Sequence, residues 1–251
     1  MTMIRCASID QSRRTRVERR IETFQGHITD LIATFEQRAP GPQAFLVEQN
    51  PNWVTPPHFH LEHQFQVIVG GSGSLGRTAV APFHVHYAAP ETGYGPITAG
   101  PNGIAYLTLR AEGDTGAWYL HKPGVRDQMQ ADLRREQHHG APSESIRTTD
   151  LKALSKPLTE TLIHQRADGL GAWFVRVPPD QSARISESVP HGGRHYVVST
   201  GLVHLDGRPL HALSVAFTDP GEGGNMTAGP EGADVLVLQF PIQARLKEAH
   251  T

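Results

Sequence analysis

The sequence predicts an all-β chain made of two tandem barrels. Three observations carry this expectation: a long internal repeat, short β-branched or aromatic runs inside each copy, and glycine or proline turns between the runs. "TAGPNGIAYLTLR" begins at Thr98 and "TAGPEGADVLVLQ" at Thr227, with seven of thirteen positions identical at an offset of 129 residues. The match extends upstream. "QVIVGGSGSLGR" (Gln66–Arg77) faces "YVVSTGLVHLDGR" (Tyr196–Arg208), "HVHYAAPETGYG" (His84–Gly95) faces "SVAFTDPGEGGN" (Ser214–Asn225), and "AFLV" at Ala44 faces "AWFV" at Ala172. Solenoid units run to ~20–50 residues, so so long a period marks a duplicated domain.

Within each copy the runs have strand character. "FQVIV", "FHVHYAA" and "IAYLTLR" are matched by "HYVVST", "LSVAFT" and "DVLVLQF", and such runs set off by Gly/Pro turns at roughly ten-residue spacing indicate a sandwich or small barrel. The 25 glycines and 19 prolines agree with many turns. The expected organisation is an N-terminal barrel over 1–120, a linker with a short helix over 121–165, and a C-terminal barrel over 166–251. "VRDQMQADLRREQHHGAPSES" (Val125–Ser145) supplies the linker helix. Residues 12–38 show no clear period, which leaves room there for strands crossing between the halves.

Composition limits the function classes. A net charge of −2 offers no basic face for nucleic acid. The dense basic stretch Arg13–Arg20 reads as a solvated helix face or arm. The single cysteine, Cys6, cannot close an internal disulfide and has no recognisable base partner. No apolar signal core opens the chain, and no run approaches the ~18 apolar residues of a membrane span. The expectation is a cytoplasmic protein with a small-molecule partner, no nucleic acid and no membrane.

On these residues the chain resembles the cupin superfamily, and specifically a bicupin of two jelly-roll barrels. The first cupin motif, roughly HxH, a Glu, then a Gly, is matched by His58-x-His60, Gln64 and Gly71, with Gln in the Glu position. The second motif survives only as "PETGYGP" (Pro90–Pro96), with Gly95 or Pro96 where a histidine belongs. The resemblance covers most of residues 42–110 and 170–241. It implies a divalent metal (Fe, Mn, Ni or Zn) held in the first barrel by His58, His60 and Gln64. On a strand, residues i and i+2 share a face, so the two imidazoles converge if that face is the interior. His84 is the candidate for the missing ligand, while His86, His63 and Tyr94 are candidates for acid–base catalysis.

In the second copy His191 and His195 can be lined up with His60 and Gln64, and Asn225 or Met226 stands in for the second-motif histidine. That barrel is therefore expected to be degenerate. The functional expectation is a metal-dependent enzyme acting on a small oxygenated molecule, by isomerase or lyase chemistry through an enolate or by dioxygenation. The rival is a non-catalytic bicupin that binds or senses a small ligand. Family analogy alone adds a homodimer.

Overall fold

Long strands that bury both faces dominate the chain. The computed structural model describes residues 4–33, 40–114, 116–222 and 224–242. The first half contains β1 (Arg5–Ser8), β2 (Val17–Ile21), β3 (Phe24–Ile32), β4 (Gln43–Gln49), β5 (Val54–Thr55), β6 (His58–Phe59), β7 (Gln64–Leu75), β8 (Thr78–Val80), β9 (Val85–Ala88), β10 (Ile97–Arg110), β11 (Trp118–Tyr119) and β12 (Gln137–Gly140). The second half adds β13 (Leu158–Ile163), β14 (Gly171–Val177), β15 (Ser182–Ala183), β16 (Arg194–Leu205), β17 (Arg208–His211), β18 (Ser214–Thr218) and β19 (Met226–Gln239).

The two large sheets repeat one order, beside a two-stranded sheet of β6 and β11. The first runs β12-β9-β7-β10-β4-β3-β2 and the second β1-β18-β16-β19-β14-β13, so β9-β7-β10-β4-β3 corresponds to β18-β16-β19-β14-β13. The outermost strands are exchanged between halves. β1 precedes the first copy yet pairs with β18, from Arg5↔Phe217 to Ser8↔Ser214. β12 precedes the second copy yet pairs with β9, from Gln137↔Ala88 to Gly140↔Val85.

Chain order therefore differs from strand membership at two places. Arg5–Ser8 falls within the expected N-terminal barrel but belongs to the second sheet, and Gln137–Gly140 falls within the expected linker but belongs to the first. The crossing strand lies at residues 5–8, before the 12–38 stretch; residues 34–38 of that stretch lie outside the described residues. The linker's helical content is two 3-10 turns, at Arg126–Gln128 and Leu151–Ala153, and one α turn at Glu144–Arg147.

The basic stretch also differs from its expectation. After a 3-10 turn at Arg13–Thr15 it forms the edge strand β2, paired with β3 from Val17↔Ile28 to Ile21↔Phe24. Val17 and Ile21 favour extended backbone; Arg20 stays at the surface, paired with Glu18 at 2.7 Å, while the half-buried Arg19 lines the cavity of the first barrel.

Period-two alternation divides the cores. Ala44, Leu46, Phe65, Val67, Leu107 and Leu109 face the other barrel and pack with Ala172, Phe174, Val197, Leu236 and Leu238 in one shared cluster. Their neighbours Phe45, Val47, Ile68 and Tyr106 point into the first barrel. Trp173, Val175, Tyr196 and Val198 fill the second. Because the strands are covered on both sides, they read as nearly continuous apolar runs.

The glycine-rich "VIVGGSG" does not turn but continues β7 through a bulge opposite Ala105 and Tyr106. Gly71 has φ +65°, and a Cβ there would lie 2.2 Å from the Gly103 carbonyl oxygen. Gly201 repeats this in the second copy, with φ +75° and 2.1 Å to the Gly232 oxygen. These glycines bend the long strands around the barrel.

Candidate active site

The same alternation that places Phe65 and Val67 between the barrels turns Gln64, Gln66, Thr108 and Arg110 inward. They meet His58 and His60 from the β6 segment in a cavity of about 130 Å³, walled by Phe24, Ile28, Phe45, Val47 and Tyr106. That volume resembles the ~150 Å³ cavities that accept benzene-sized guests. The two sequence motifs meet directly: His58 and Tyr94 exchange backbone hydrogen bonds, N to O, at 3.1 and 3.0 Å.

His58, His60, Gln64 and Tyr94 are thus brought together, all buried. Tyr94 is 4% exposed and lines the cavity. Gln64 Nε2 donates to the Tyr94 hydroxyl at 2.7 Å, so the phenol accepts there and keeps its own proton to donate elsewhere. Burial raises the Tyr94 pKa above its ordinary value and keeps it protonated.

The other three candidates stand outside the cavity lining. His84 Nε2 and His139 Nδ1 are 2.9 Å apart. His86 Nδ1 bonds Gln66 Oε1 at 2.9 Å, and its ring lies 5.0 Å from that of Tyr94. His63 faces the crevice between the barrels, beside Glu112 and His191, with Nδ1 2.7 Å from the Tyr87 hydroxyl.

Two functional side chains were missed by the sequence reading: Arg110, at the end of β10, and Asp114, just beyond it. His60 Nδ1 lies 2.5 Å from Asp114 Oδ2. Asp114 also accepts from the backbone N–H groups of Leu61 and Gly116, both at 3.0 Å. Burial alone would raise the Asp114 carboxyl. The hydrogen bond from His60 and the nearby Arg110 charge outweigh it and hold the carboxyl well below the usual range. An ionised Asp114 fixes the tautomer: Nδ1–H of His60 donates to it, and Nε2 is the basic nitrogen. Burial, with Arg110 nearby, lowers the His60 pKa and keeps the ring neutral near pH 7. His58 likewise donates Nδ1–H to the Pro56 carbonyl at 2.8 Å, and burial takes its pKa to about 3.

Arg110 is 1% exposed. Its Nε and Nη2 donate to Gln64 Oε1 at 3.1 and 2.6 Å and its Nη1 to Gln43 Oε1 at 2.5 Å, while Nη2 stands 3.7 Å from Asp114 Oδ2.

The second copy contains the same couple reversed. β7 and β10 place Gln64 opposite Arg110; β16 and β19 place Arg194 opposite Gln239. Arg194 Nε donates to Gln239 Oε1 at 2.8 Å. The position matching Gln64 is therefore Arg194, and His195 matches Phe65 instead. His195 accordingly points between the barrels, where its Nε2 donates to the Arg110 carbonyl at 3.0 Å. His191 lies in the crevice, bonded to Glu187 at 2.9 Å.

No family model and no curated protein sequence matches the chain. Solved structures do. A candidate dioxygenase from Nostoc punctiforme superposes with a TM-score of 0.59 at 11% identity, over 98% of this chain and 82% of its own. Oxalate decarboxylase from Bacillus subtilis gives a TM-score of 0.59 at 12% identity, over 96% and 77%. A further oxalate decarboxylase structure gives 0.59 at 14%, over 97% and 79%. The fold is that of a bicupin. At these identities the likeness concerns the fold alone. Among the described residues no helix is long and apolar enough to cross a membrane.

A bicupin frame raises the matter of a metal, and the donor set here does not fit one. His58 and His60 are two neutral imidazoles with ring centroids 5.3 Å apart, each with Nδ1 tied to an acceptor, as metal-binding histidines often are. The third expected ligand is engaged elsewhere: Gln64 Oε1 already accepts two N–H groups from a buried guanidinium. Among the described residues no three His, Cys, Asp or Glu side chains converge on one point.

Proposed function

We propose that the first barrel is the active site of a proton-transfer enzyme, an isomerase or lyase acting beside a carbonyl or carboxylate of a small oxygenated molecule. The observation that carries this reading is the His60–Asp114 pair, with Nδ1 and Oδ2 2.5 Å apart, on the same cavity as the Tyr94 hydroxyl. His60 Nε2 takes a proton from the substrate carbon, the C–H electron pair moves into an enolate, and the Tyr94 O–H with the positive Arg110 floor stabilises the developing oxyanion. Asp114 holds the ring in orientation and stabilises the imidazolium that forms. Return of the proton to another carbon completes an isomerisation; expulsion of a leaving group completes elimination. The oxalate decarboxylase neighbours, by name, also act on a small oxygen-rich molecule, in keeping with the substrate class.

One observation favours a second reading, a binding module without turnover. Arg110 is held by Gln43 and Gln64, and an equivalent couple recurs in the second barrel, as a structural strut would. Deuterium exchange separates the two. Chelator-treated protein in D₂O, offered a panel of small keto acids and hydroxy acids, is expected to exchange the α-hydrogen of at least one, read by proton NMR, and the His60→Gln variant is expected to lose it. Saturable binding with no exchange for any bound compound supports the binding module and sinks the enzyme. Exchange that appears only with added divalent metal sinks the metal-independent mechanism.

A further inference from the structure

The reversed arginine–glutamine couple has a meaning beyond the reaction. β7 and β16 each begin at the position that the family resemblance gives to an acidic ligand, and β10 and β19 each end directly across from it. One barrel holds Gln64 and Arg110 there, the other Arg194 and Gln239. In both, the guanidinium Nε donates to the carboxamide oxygen, at 3.1 and 2.8 Å. Both arginines are essentially inaccessible, at 1% and 0% exposed. Their charges are met within the protein: Arg110 by Asp114, Arg194 by Glu187.

We infer that the guanidinium of this couple is a resident cation that closes the first barrel to divalent metals, the second barrel reaching the same result with the two residues exchanged. A neutral carboxamide whose oxygen is engaged is a poor ligand, and a buried positive charge 3.1 Å from His60 Nδ1 opposes a second cation in the low-dielectric interior. The converse also follows. His58 and His60 already have their Nδ1 atoms tied back, so replacing the couple by a carboxylate facing a neutral side chain would supply the missing anionic ligand. The inference concerns metal occupancy alone and is independent of the proton-transfer reading, since it is measured without substrate.

The test uses the tag-free full chain. Wild-type protein incubated with Fe(II), Mn, Ni or Zn and desalted is expected to carry no metal that depends on His58 and His60, by elemental analysis. The Gln64→Glu/Arg110→Gln variant is expected to bind Mn or Zn roughly 10–100-fold more tightly by calorimetry, and the gain should vanish when His58→Ala/His60→Ala is added. Metal in the wild type that persists in His58→Ala/His60→Ala lies elsewhere and supports the inference. Near-stoichiometric wild-type metal that is lost in that variant overturns it, as does a folded Gln64→Glu/Arg110→Gln protein with no gain. Should that variant fail to fold, Arg110→Gln alone removes the guanidinium charge and its bonds to Gln64 while leaving Gln64 neutral. Tighter binding than wild type then supports the inference, and unchanged binding overturns it.

Discussion

Gln64 and Arg110 stand opposite each other on neighbouring strands, and their counterparts Arg194 and Gln239 repeat the pairing with the residues exchanged. Removing one member leaves buried groups without partners. Arg110→Leu is expected to destabilise the protein by ~3–5 kcal/mol, and Gln64→Leu by less, because Arg110 retains Gln43 and Asp114. The exchanged double variant Gln64→Arg/Arg110→Gln should be destabilised by less than the sum of Gln64→Arg and Arg110→Gln, with a coupling of ~0.5–3 kcal/mol. Urea denaturation of the four proteins checks this; additive costs would mean that the two side chains do not act as a couple.

In the proposed mechanism Asp114, which is bonded to His60 Nδ1 and lies outside the cavity lining, orients the ring rather than binding substrate. Asp114→Asn should lower turnover by ~10²–10⁴-fold and shift the acid limb of the pH–rate profile, because a neutral amide no longer stabilises the imidazolium. Substrate affinity should change little. A loss confined to KM would place Asp114 in binding instead.

Stability should fall in acid. Burial lowers His58 and His86 to a pKa of about 3 and His195 to about 4, against an ordinary 6.5. Between those values the unfolded chain binds protons that the folded chain does not, so the stabilisation is fully present above pH 6.5 and is lost as pH drops toward 3. The slope is on the order of 1.4 kcal/mol per pH unit for each such histidine. Thermal unfolding from pH 7 to 4 should show a steadily falling midpoint, and His195→Phe should flatten part of the slope.

The bulge glycine can be compared with a turn glycine. Gly71→Ala combines φ +65° with a Cβ 2.2 Å from the Gly103 oxygen, whereas Gly207→Ala has φ +84° and no neighbouring heavy atom within 4 Å. Gly207→Ala should cost ~1–2 kcal/mol from backbone strain alone, and Gly71→Ala clearly more. Equal losses would mean that the Gly103 contact relaxes freely.

Much of the fold was legible because repetition amplifies weak local signals: two copies of one strand pattern at one offset specify a duplicated barrel better than either copy does. His58, His60, Gln64 and Tyr94 were legible through motif spacing. Asp114 was not, because a loop residue acquires its role only when the chain returns to His60 in space. Arg110 had a signal that went unused: a charge closing the apolar run "IAYLTLR", with Gln239 closing its counterpart. Lining up His195 with Gln64, one position off, hid the exchanged couple. The histidine-rich segment at residues 137–140 looked like linker because an edge strand of four residues carries little pattern of its own.

The exchanged outer strands also govern how the molecule is made. β1 leaves the ribosome about 200 residues ahead of its partner β18, roughly 10–40 s at ~5–20 residues per second. β12 emerges earlier and can close the first sheet, but until β18 is made β1 stays unpaired. Once complete, the halves are clasped at both ends, so a nick between residues 121 and 135 would leave two fragments still holding each other's edge strand.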